Sequence, residues 1–455
     1  MTKKSGRDLA WSALNKIENE QAYANLALQS VFAACGGAVD QRDKAFGAEL
    51  VYGTLRHLLK LDYLLGRLLS RPLNSLPSAV CNLLRLAFYQ LIYLPDIPER
   101  AVCHSAVELV KRSPFKGLAA LVNGVLRNYL RNGVAIVWPD RNQDLLEFLT
   151  VEYSHPRWLV ERWLSRFGAT RTETILKINN ERPPLTVRVN RLVADPQVVL
   201  AELHSAGVEC AAGVFLPEAL HLLDLPVALE EMPTFQMGQI TPQDESAMLV
   251  AHLVNPQPGE TVVDLCAAPG GKSAHLAELM EDQGRIESLD NHPHKVRLIR
   301  ETARRLRLTA INPILGDARQ FSLADGAKAD AVLVDAPCSG TGVLRRRVDA
   351  RYRKTVAQIG QLVTVQQEIL NQAAVLVRPG GRLVYSTCTL EPEENQAQIG
   401  WFLANHPQFT LVDYRQFLPV KLVDYVAEPE ENWATILPDA AGGDGFFLSR
   451  LERHE

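Results

Sequence analysis

From about residue 236 onward, short β-branched runs alternate with amphipathic helices, and this alternation constrains the fold more than any other feature of the chain. TVVDLC reads as a strand, followed by a glycine-rich turn and the helix GKSAHLAELMED. RIESLD reads as a second strand and HKVRLIRETARRLRL as its following helix. INPILG and ADAVLVDAP are further strands, and GRLVYSTC is another after the turn RPGG. Right-handed crossovers fold such a pattern into a doubly wound parallel sheet, each helix packing back on the strands it connects. Ligands of these sheets bind beyond the carboxyl ends of the strands. The residues that end each strand therefore carry the functional reading.

The front of the chain has a different texture. Residues 5 to about 135 show apolar residues at helical spacing, as in RDLAWSALNKIE and SAVCNLLRLAFYQLIYL, punctuated by Pro72, Pro77, Pro95, Pro98 and Pro114. The pattern predicts an all-α domain over residues 1–144, a small α+β linker domain over 145–235, and an α/β domain of Rossmann type over 236–455. The polar helix faces of the first domain carry Arg7, Lys44, Arg56, Arg67, Arg85, Lys111, Arg112, Lys116 and Arg127. Residues 1–150 hold 18 Lys and Arg against 13 Asp and Glu, although the whole chain has a net charge of −4. A basic front on an acidic body fits phosphate contacts on one domain, and it fits solvated helix faces as well.

Composition narrows the remaining choices. With 47% hydrophobic and 22% charged residues, the balance is that of a globular protein. No apolar stretch approaches the ~20 residues of a membrane helix, and the polar start MTKKSGRDLA lacks the apolar core of a signal peptide. A cytoplasmic protein without membrane partners is expected. Seven cysteines, none in a C-x-x-C pair, predict neither a disulfide framework nor a structural zinc site, and no metal is expected.

The first strand of the sheet ends in Asp264 and runs through Leu265 into Cys266, Ala267, Ala268, Pro269, Gly270, Gly271 and Lys272. Small residues and paired glycines let the backbone approach a ligand as it turns into the helix. The turn matches neither G-x-G-x-x-G nor a Walker loop, which argues against dinucleotides and nucleoside triphosphates. Asp290 closes the next strand, 19 residues after Gly271, where an acidic side chain accepts from a ribose diol. Asp317 follows the third strand and is placed to take an adenine amino group. Asp335 ends the fourth. Four acidic strand mouths suit a ribose, an amino-purine and a cationic amino acid together, as in S-adenosylmethionine, and would repel a pyrophosphate.

Two cysteines also stand at strand ends. The fourth strand leads into Asp335-Ala336-Pro337-Cys338, and the fifth into Ser386-Thr387-Cys388. A lone free cysteine is usually a small buried hydrophobe. Two in polar turns beside a methyl donor point instead to covalent catalysis on cytosine. C5 of cytosine is a poor nucleophile, but adding a thiolate to C6 raises its electron density enough to take a methyl group. Asp335 is placed to hydrogen-bond the base at N3. The base must leave any helix to reach such a site. Amino methylation of a base uses an Asn/Asp-Pro-Pro-aromatic motif, whereas this chain has Asp-Ala-Pro-Cys.

DLCAAPGGK, VDAPCSGTG and VYSTCTLEPEEN, with the flanking FQMGQITPQDESAMLVAHLV and DGFFLSRL, resemble the motifs of the NOL1/NOP2/Sun family of RNA cytosine-5 methyltransferases over residues 236–453. The resemblance implies that Cys388 is the nucleophile, that Cys338 assists product release, and that S-adenosylmethionine is the methyl donor. RDLAWSALNKIENEQAYANLAL, DKAFGAELVYGTLRHLLKLDYLL, IPERAVCHSAVELVK and VNGVLRN resemble the NusB-like RNA-binding helical domain. The combination is similar to bacterial Fmu/Sun-type enzymes. It implies 16S ribosomal RNA as partner and an enzyme that methylates one cytidine. A monomer is expected. A noncatalytic RNA-binding protein would need none of Lys272, Asp335, Cys338 and Cys388.

Overall fold

The computed structural model describes residues 4–35, 39–133, 136–225, 227–438 and 443–454. It divides into two compact units. The first comprises Met1–Glu181 together with Leu344–Arg353, and the second Arg182–Val343 together with Lys354–Glu455. The division falls inside the stretch 145–235.

The first unit is helical. Its helices are α1 (Gly6–Asn19), α2 (Ala24–Ala34), α3 (Gln41–Arg56), α4 (Leu58–Leu68), α5 (Ser78–Tyr93), α6 (Glu99–Lys111), α7 (Ala119–Asn132), α8 (Leu145–Glu152) and α9 (Arg157–Ile178). Ser5 and Asp8 form a capping box that starts α1, satisfying donors that a helix start leaves unpaired. Apolar faces of α1, α3 and α5 meet in a core that includes Leu9, Leu50, Leu84 and Phe88. α9 kinks at Gly168, whose φ of 73° lies in the left-handed region, a conformation glycine adopts without steric cost. The residues Leu344–Arg353 are part of this packing. The Arg351 guanidinium is buried and donates to the carbonyls of Ser154 at 3.3 Å and Asn179 at 2.9 Å, and to Asn180 Oδ1 at 2.8 Å. Asp349 accepts from the amide of Ala24 at the start of α2.

One basic residue departs from expectation. Arg85 does not sit on a solvated face: it is largely buried in a bidentate pair with Asp62 at 2.6 and 2.9 Å, with Glu18 at 3.2 Å. Its carboxylate partners lie 23 and 67 residues away in sequence, so helical periodicity gave no sign of them.

The second unit holds two sheets. The smaller contains β1 (Leu185–Val189), β2 (Glu209–Ala212), β3 (Ala219–Asp224) and β4 (Ile240–Pro242) in the order β2-β3-β1-β4, with α10 (Pro196–Ser205) and the short α11 (Pro233–Gln236). The larger follows α12 (Glu245–Val254). It contains β5 (Thr261–Asp264), α13 (Gly271–Leu279), β6 (Arg285–Asp290), α14 (Pro293–Leu306), β7 (Ile311–Leu315), β8 (Ala329–Asp335), α15 (Val356–Leu376), β9 (Val377–Thr387), α16 (Gln396–Asn405), β10 (Phe409–Val412), β11 (Ala434–Ile436) and β12 (Phe446–Arg453). Its order is β10-β12-β9-β8-β5-β6-β7, with β11 also on β12. The pairs β5–β6, β5–β8, β6–β7 and β8–β9 are parallel, and β12 is antiparallel to β9. This is the α/β sheet that the strand–helix alternation predicts, extended at one edge by antiparallel strands. β8 and β9 are neighbours, so the two cysteine-bearing turns leave the sheet side by side. Among the described residues no helix is long and apolar enough to cross a membrane.

Candidate active site

The turn after β5 is shaped by its backbone. Gly270 has φ 104°, and a Cβ added there would come within 3.1 Å of the Cα of Ile299. Only glycine combines that angle with so close a neighbour. The turn lines a cavity of about 190 Å³ through Cys266, Ala267, Ala268, Pro269, Gly271 and Lys272. Asp264 and Asp335 line it as well, joined by Gln243, Asp244 and Ala247. Gly270, Asp290 and Asp317 lie outside this lining.

The site is strongly anionic and its charges are unequal. Asp264 is fully buried. Its Oδ2 accepts from Ser273 Oγ at 2.7 Å while its Oδ1 has no hydrogen-bond partner, and burial pushes its carboxyl up to about 7. Burial, reinforced by Asp264, Asp335 and Asp290, pushes the Cys266 thiol far up, so these three carboxylates act on one neighbourhood. Asp290, also buried, accepts from the amide of His292 at 2.9 Å and lies 3.4 Å from Lys295 Nζ. Asp317 is more open. Arg319 grips it with contacts of 2.7 to 3.1 Å, and these bonds hold its carboxyl below the usual range.

Asp335 links the cavity to the cysteines. Its Oδ2 accepts from Lys272 Nζ at 2.7 Å and its Oδ1 from Ser386 Oγ at 3.0 Å. Burial would lower the Lys272 pKa, but Asp335, with smaller help from Cys388 and Asp264, reverses this and raises it. The ammonium is therefore fixed as a charge. Cys338 and Cys388 meet with their sulfurs 3.3 Å apart. The hydrogen bond to Cys388, then burial, pushes the Cys338 thiol well up, so Cys338 carries its proton at neutral pH. The amide of Gly342 donates to the Cys388 carbonyl at 3.0 Å.

Several supporting residues gave little sign in the sequence. Arg188 of β1 is fully buried, grips Glu278 of α13 through contacts of 2.7 and 2.9 Å, and donates to Gln243 and to the carbonyl of Gly271 at 3.0 Å. The only local hint was a charge inside the alternating run LTVRV. Gln243 and Asp244 fall within FQMGQITPQDES, whose letters were recognisable although their geometry was not. Glu218, His252 and His275 form a group whose ligand-type atoms lie within 4.8 Å of one another, the one such group among the described residues. Glu218 Oε1 lies 2.6 Å from His252 Nε2 and 3.4 Å from His275 Nε2, so this carboxylate braces two imidazoles at the meeting of β3, α12 and α13.

Comparisons with known proteins agree in each part of the chain. Residues 251–452 match the family described as 16S rRNA methyltransferase RsmB/F, residues 4–131 the NusB family, and residues 155–229 the ferredoxin-like domain of RsmF/B-like methyltransferases. The "Probable ribosomal RNA small subunit methyltransferase B" of Bacillus subtilis (strain 168) is 42% identical and aligns over 100% of both chains. The ribosomal RNA small subunit methyltransferase B of Erwinia tasmaniensis is 35% identical, over 93% of this chain and 94% of its own. Among solved structures, the crystal structure of PH0851 superposes with a TM-score of 0.81 at 27% identity, covering 99% of each chain. With a full-length relative at this identity and all three regions matched in order, the chain belongs to the RsmB/F family of 16S rRNA methyltransferases.

Proposed function

We propose that the protein transfers a methyl group from S-adenosylmethionine to C5 of a cytidine in 16S ribosomal RNA, with Cys388 as nucleophile. The observation that carries this reading is the 3.3 Å approach of Cys338 and Cys388 at the ends of adjacent parallel strands, beside the Lys272–Asp335 pair. The turn Cys266–Lys272 is assigned to the donor's backbone contacts, Asp290 to its ribose diol, Asp317 to its adenine amino group and Asp335 to its charged end. The unpartnered, buried Asp264 Oδ1 beside the cavity fits a ligand that brings positive charge and hydrogen-bond donors. When bound, the donor supplies an electrophilic methyl group on a sulfonium.

The chain's own residues supply the rest. Cys388 thiolate adds to C6 as N3 of the base takes up a proton from solvent, and Asp335 accepts the resulting N3–H, so the electron pair of the C5–C6 double bond is placed on C5 as an enamine. The Cys338 thiol donates to the Cys388 sulfur and favours its thiolate form before attack. After methylation the C5 proton and the N3 proton pass to solvent, the C5–H pair re-forms the C5–C6 double bond, and the C6–S pair leaves with Cys388 as thiolate, so the ring recovers its aromaticity. Cys338 is assigned to assist this release. The helical residues 1–144 are assigned to binding RNA, residues 145–235 to linking, and residues 236–455 to methyl transfer.

The test is transfer of labelled methyl to 16S rRNA by Cys388→Ala. Loss of transfer by at least about 10³-fold is expected for a covalent nucleophile, and wild-type turnover would overturn the assignment. Cys338→Ala should accumulate a covalent protein–RNA species on denaturing gels. Its absence would remove Cys338 from product release.

A further inference from the structure

We propose that Glu394 is a positioning residue for the two-cysteine chemistry, locking the turn after Cys338 to the turn after Cys388 so that the sulfurs face each other. The inference rests on the covalent reading above. Glu394 lies at the end of the short helical turn Pro392–Glu394 and is fully buried. Its Oε1 accepts from the amide of Ser339 at 2.8 Å and from Gln366 Nε2 at 3.0 Å. Its Oε2 accepts from Ser339 Oγ and, at 3.2 Å, from Thr389 Oγ1. Ser339 follows Cys338 and Thr389 follows Cys388, so one carboxylate holds the residue after each sulfur.

The surrounding bonds make this a closed system. Ser339 Oγ and Thr389 Oγ1 are 2.7 Å apart, and Thr341 Oγ1 lies 2.9 Å from Thr389 Oγ1. Gln366 of α15 also donates to the carbonyl of Pro337, the residue before Cys338, at 2.9 Å. Tyr385 of β9 donates to the Glu394 carbonyl at 2.6 Å. Ser339, Thr389 and Gln366 are all buried, and a buried polar network left half-satisfied is costly. Main-chain pairing of β8 with β9 ends at Asp335 and Ser386, before either cysteine. Beyond that point the amide of Gly342 still donates to the Cys388 carbonyl, and the side-chain bonds centred on Glu394 tie the residues that follow each sulfur.

The experiment measures kcat, KM for S-adenosylmethionine and melting temperature in Glu394→Ala and Glu394→Gln, with Cys388→Ala as a control. A pH profile of Cys388 alkylation by iodoacetamide is recorded for each variant that keeps the thiol. Glu394→Ala is expected to lower kcat at least about tenfold with KM for the donor within about twofold, since the contact acts on the reacting groups and not on ground-state binding. Glutamine, which keeps an acceptor for the Ser339 amide, should restore kcat to within about threefold of wild type. The alkylation profile should move to higher pH in Glu394→Ala, because Cys388 loses the aligned Cys338 donor. Unchanged kcat overturns the proposal, as does a loss matched by unfolding that glutamine does not rescue. If Glu394→Ala fails to fold, Ser339→Ala and Thr389→Val should each lower kcat and combine non-additively. Absent or additive effects then overturn the role. Full activity in Cys388→Ala would sink the covalent reading beneath it, whereas wild-type kcat in Glu394→Ala beside an inactive Cys388→Ala sinks the positioning role alone.

Discussion

The two units differ in the balance of their buried charged groups. In the helical unit the bases His155, Arg345 and Arg351 are buried, with one carboxylate, Asp349, among the described residues. His57 stacks on Tyr93 at 3.9 Å between ring centroids, and burial, with Arg56, Lys60 and Arg351, lowers its pKa to about 3. Burial, aided by Arg351, pushes His155 well down. Arg351 itself is held by carbonyls and an amide oxygen. In the sheet unit the buried groups are largely carboxylates: Asp264, Glu218, Glu278 and Glu394. An interior of neutral imidazoles gives a scaffold, whereas an interior of carboxylates at strand ends gives a place where cations and donors bind. The chemistry belongs to the second.

The sharpest way to break this contrast is to leave a carboxylate without its cation. Arg188→Met removes the guanidinium from Glu278 while keeping volume, and should destabilise the sheet unit by about 3–5 kcal/mol, the usual cost of stranding one partner of a buried pair. Chemical denaturation checks this, and a loss below about 1 kcal/mol would show that Glu278 is protonated in the variant at little cost. In the helical unit Arg351→Met should cost less, about 3 kcal/mol, because it orphans neutral carbonyls and not a charge. Equal losses would erase the distinction between the units.

Acid should separate the units next. A histidine whose folded pKa is depressed is neutral when native and protonated when unfolded, so its unit loses stability as pH falls below about 6.5. Each such group costs up to about 1.4 kcal/mol per pH unit in that window. His57 and His155 both act this way in the helical unit. In the sheet unit His275, lowered to about 3 by burial and Arg188, is opposed by Asp264. The raised Asp264 pKa contributes stability that is present below its unfolded value of about 3.8 and lost as pH rises through about 7. Lowering pH from 6.5 to 5.5 should therefore cost the helical unit about 2 kcal/mol, roughly 1 kcal/mol per histidine because the unfolded imidazole is already half protonated at 6.5, and the sheet unit much less. Two calorimetric transitions that move together on acidification would contradict this.

Legibility in the sequence follows range. The α/β sheet and the helical front are periodic, so local spacing reveals them. Asp264, Asp290, Asp335, Cys338 and Cys388 are marked by standing at strand ends, and the parallel pairing of β8 with β9 brings the cysteines together. Arg188 and Glu278 are 90 residues apart, and Glu394 lies 55 from Ser339. Each is a single polar letter whose partner is set only by tertiary folding. The inclusion of Leu344–Arg353 in the helical unit was hidden for the same reason: its anchor, Arg351, bonds to groups 171 and 172 residues away.

Asp317 marks the boundary between the two kinds of acidic residue, and the smallest expected effect concerns it. It stands at a strand mouth like Asp290, yet it is partly exposed and already paired with Arg319, which also reaches Glu368 at 3.0 Å. A partly exposed ion pair contributes about 0–1 kcal/mol to stability, so Asp317→Asn should leave the melting temperature close to wild type. If the carboxylate also accepts from the donor's adenine amino group, losing a hydrogen bond to a charged acceptor costs about 1.5 kcal/mol in binding, roughly a tenfold rise in KM for S-adenosylmethionine. The kcat at saturation should stay near wild type, because the adenine end is remote from the reacting methyl group. An unchanged KM would reduce Asp317 to a surface clamp for Arg319. The acidic cleft would then be built by the buried carboxylates alone.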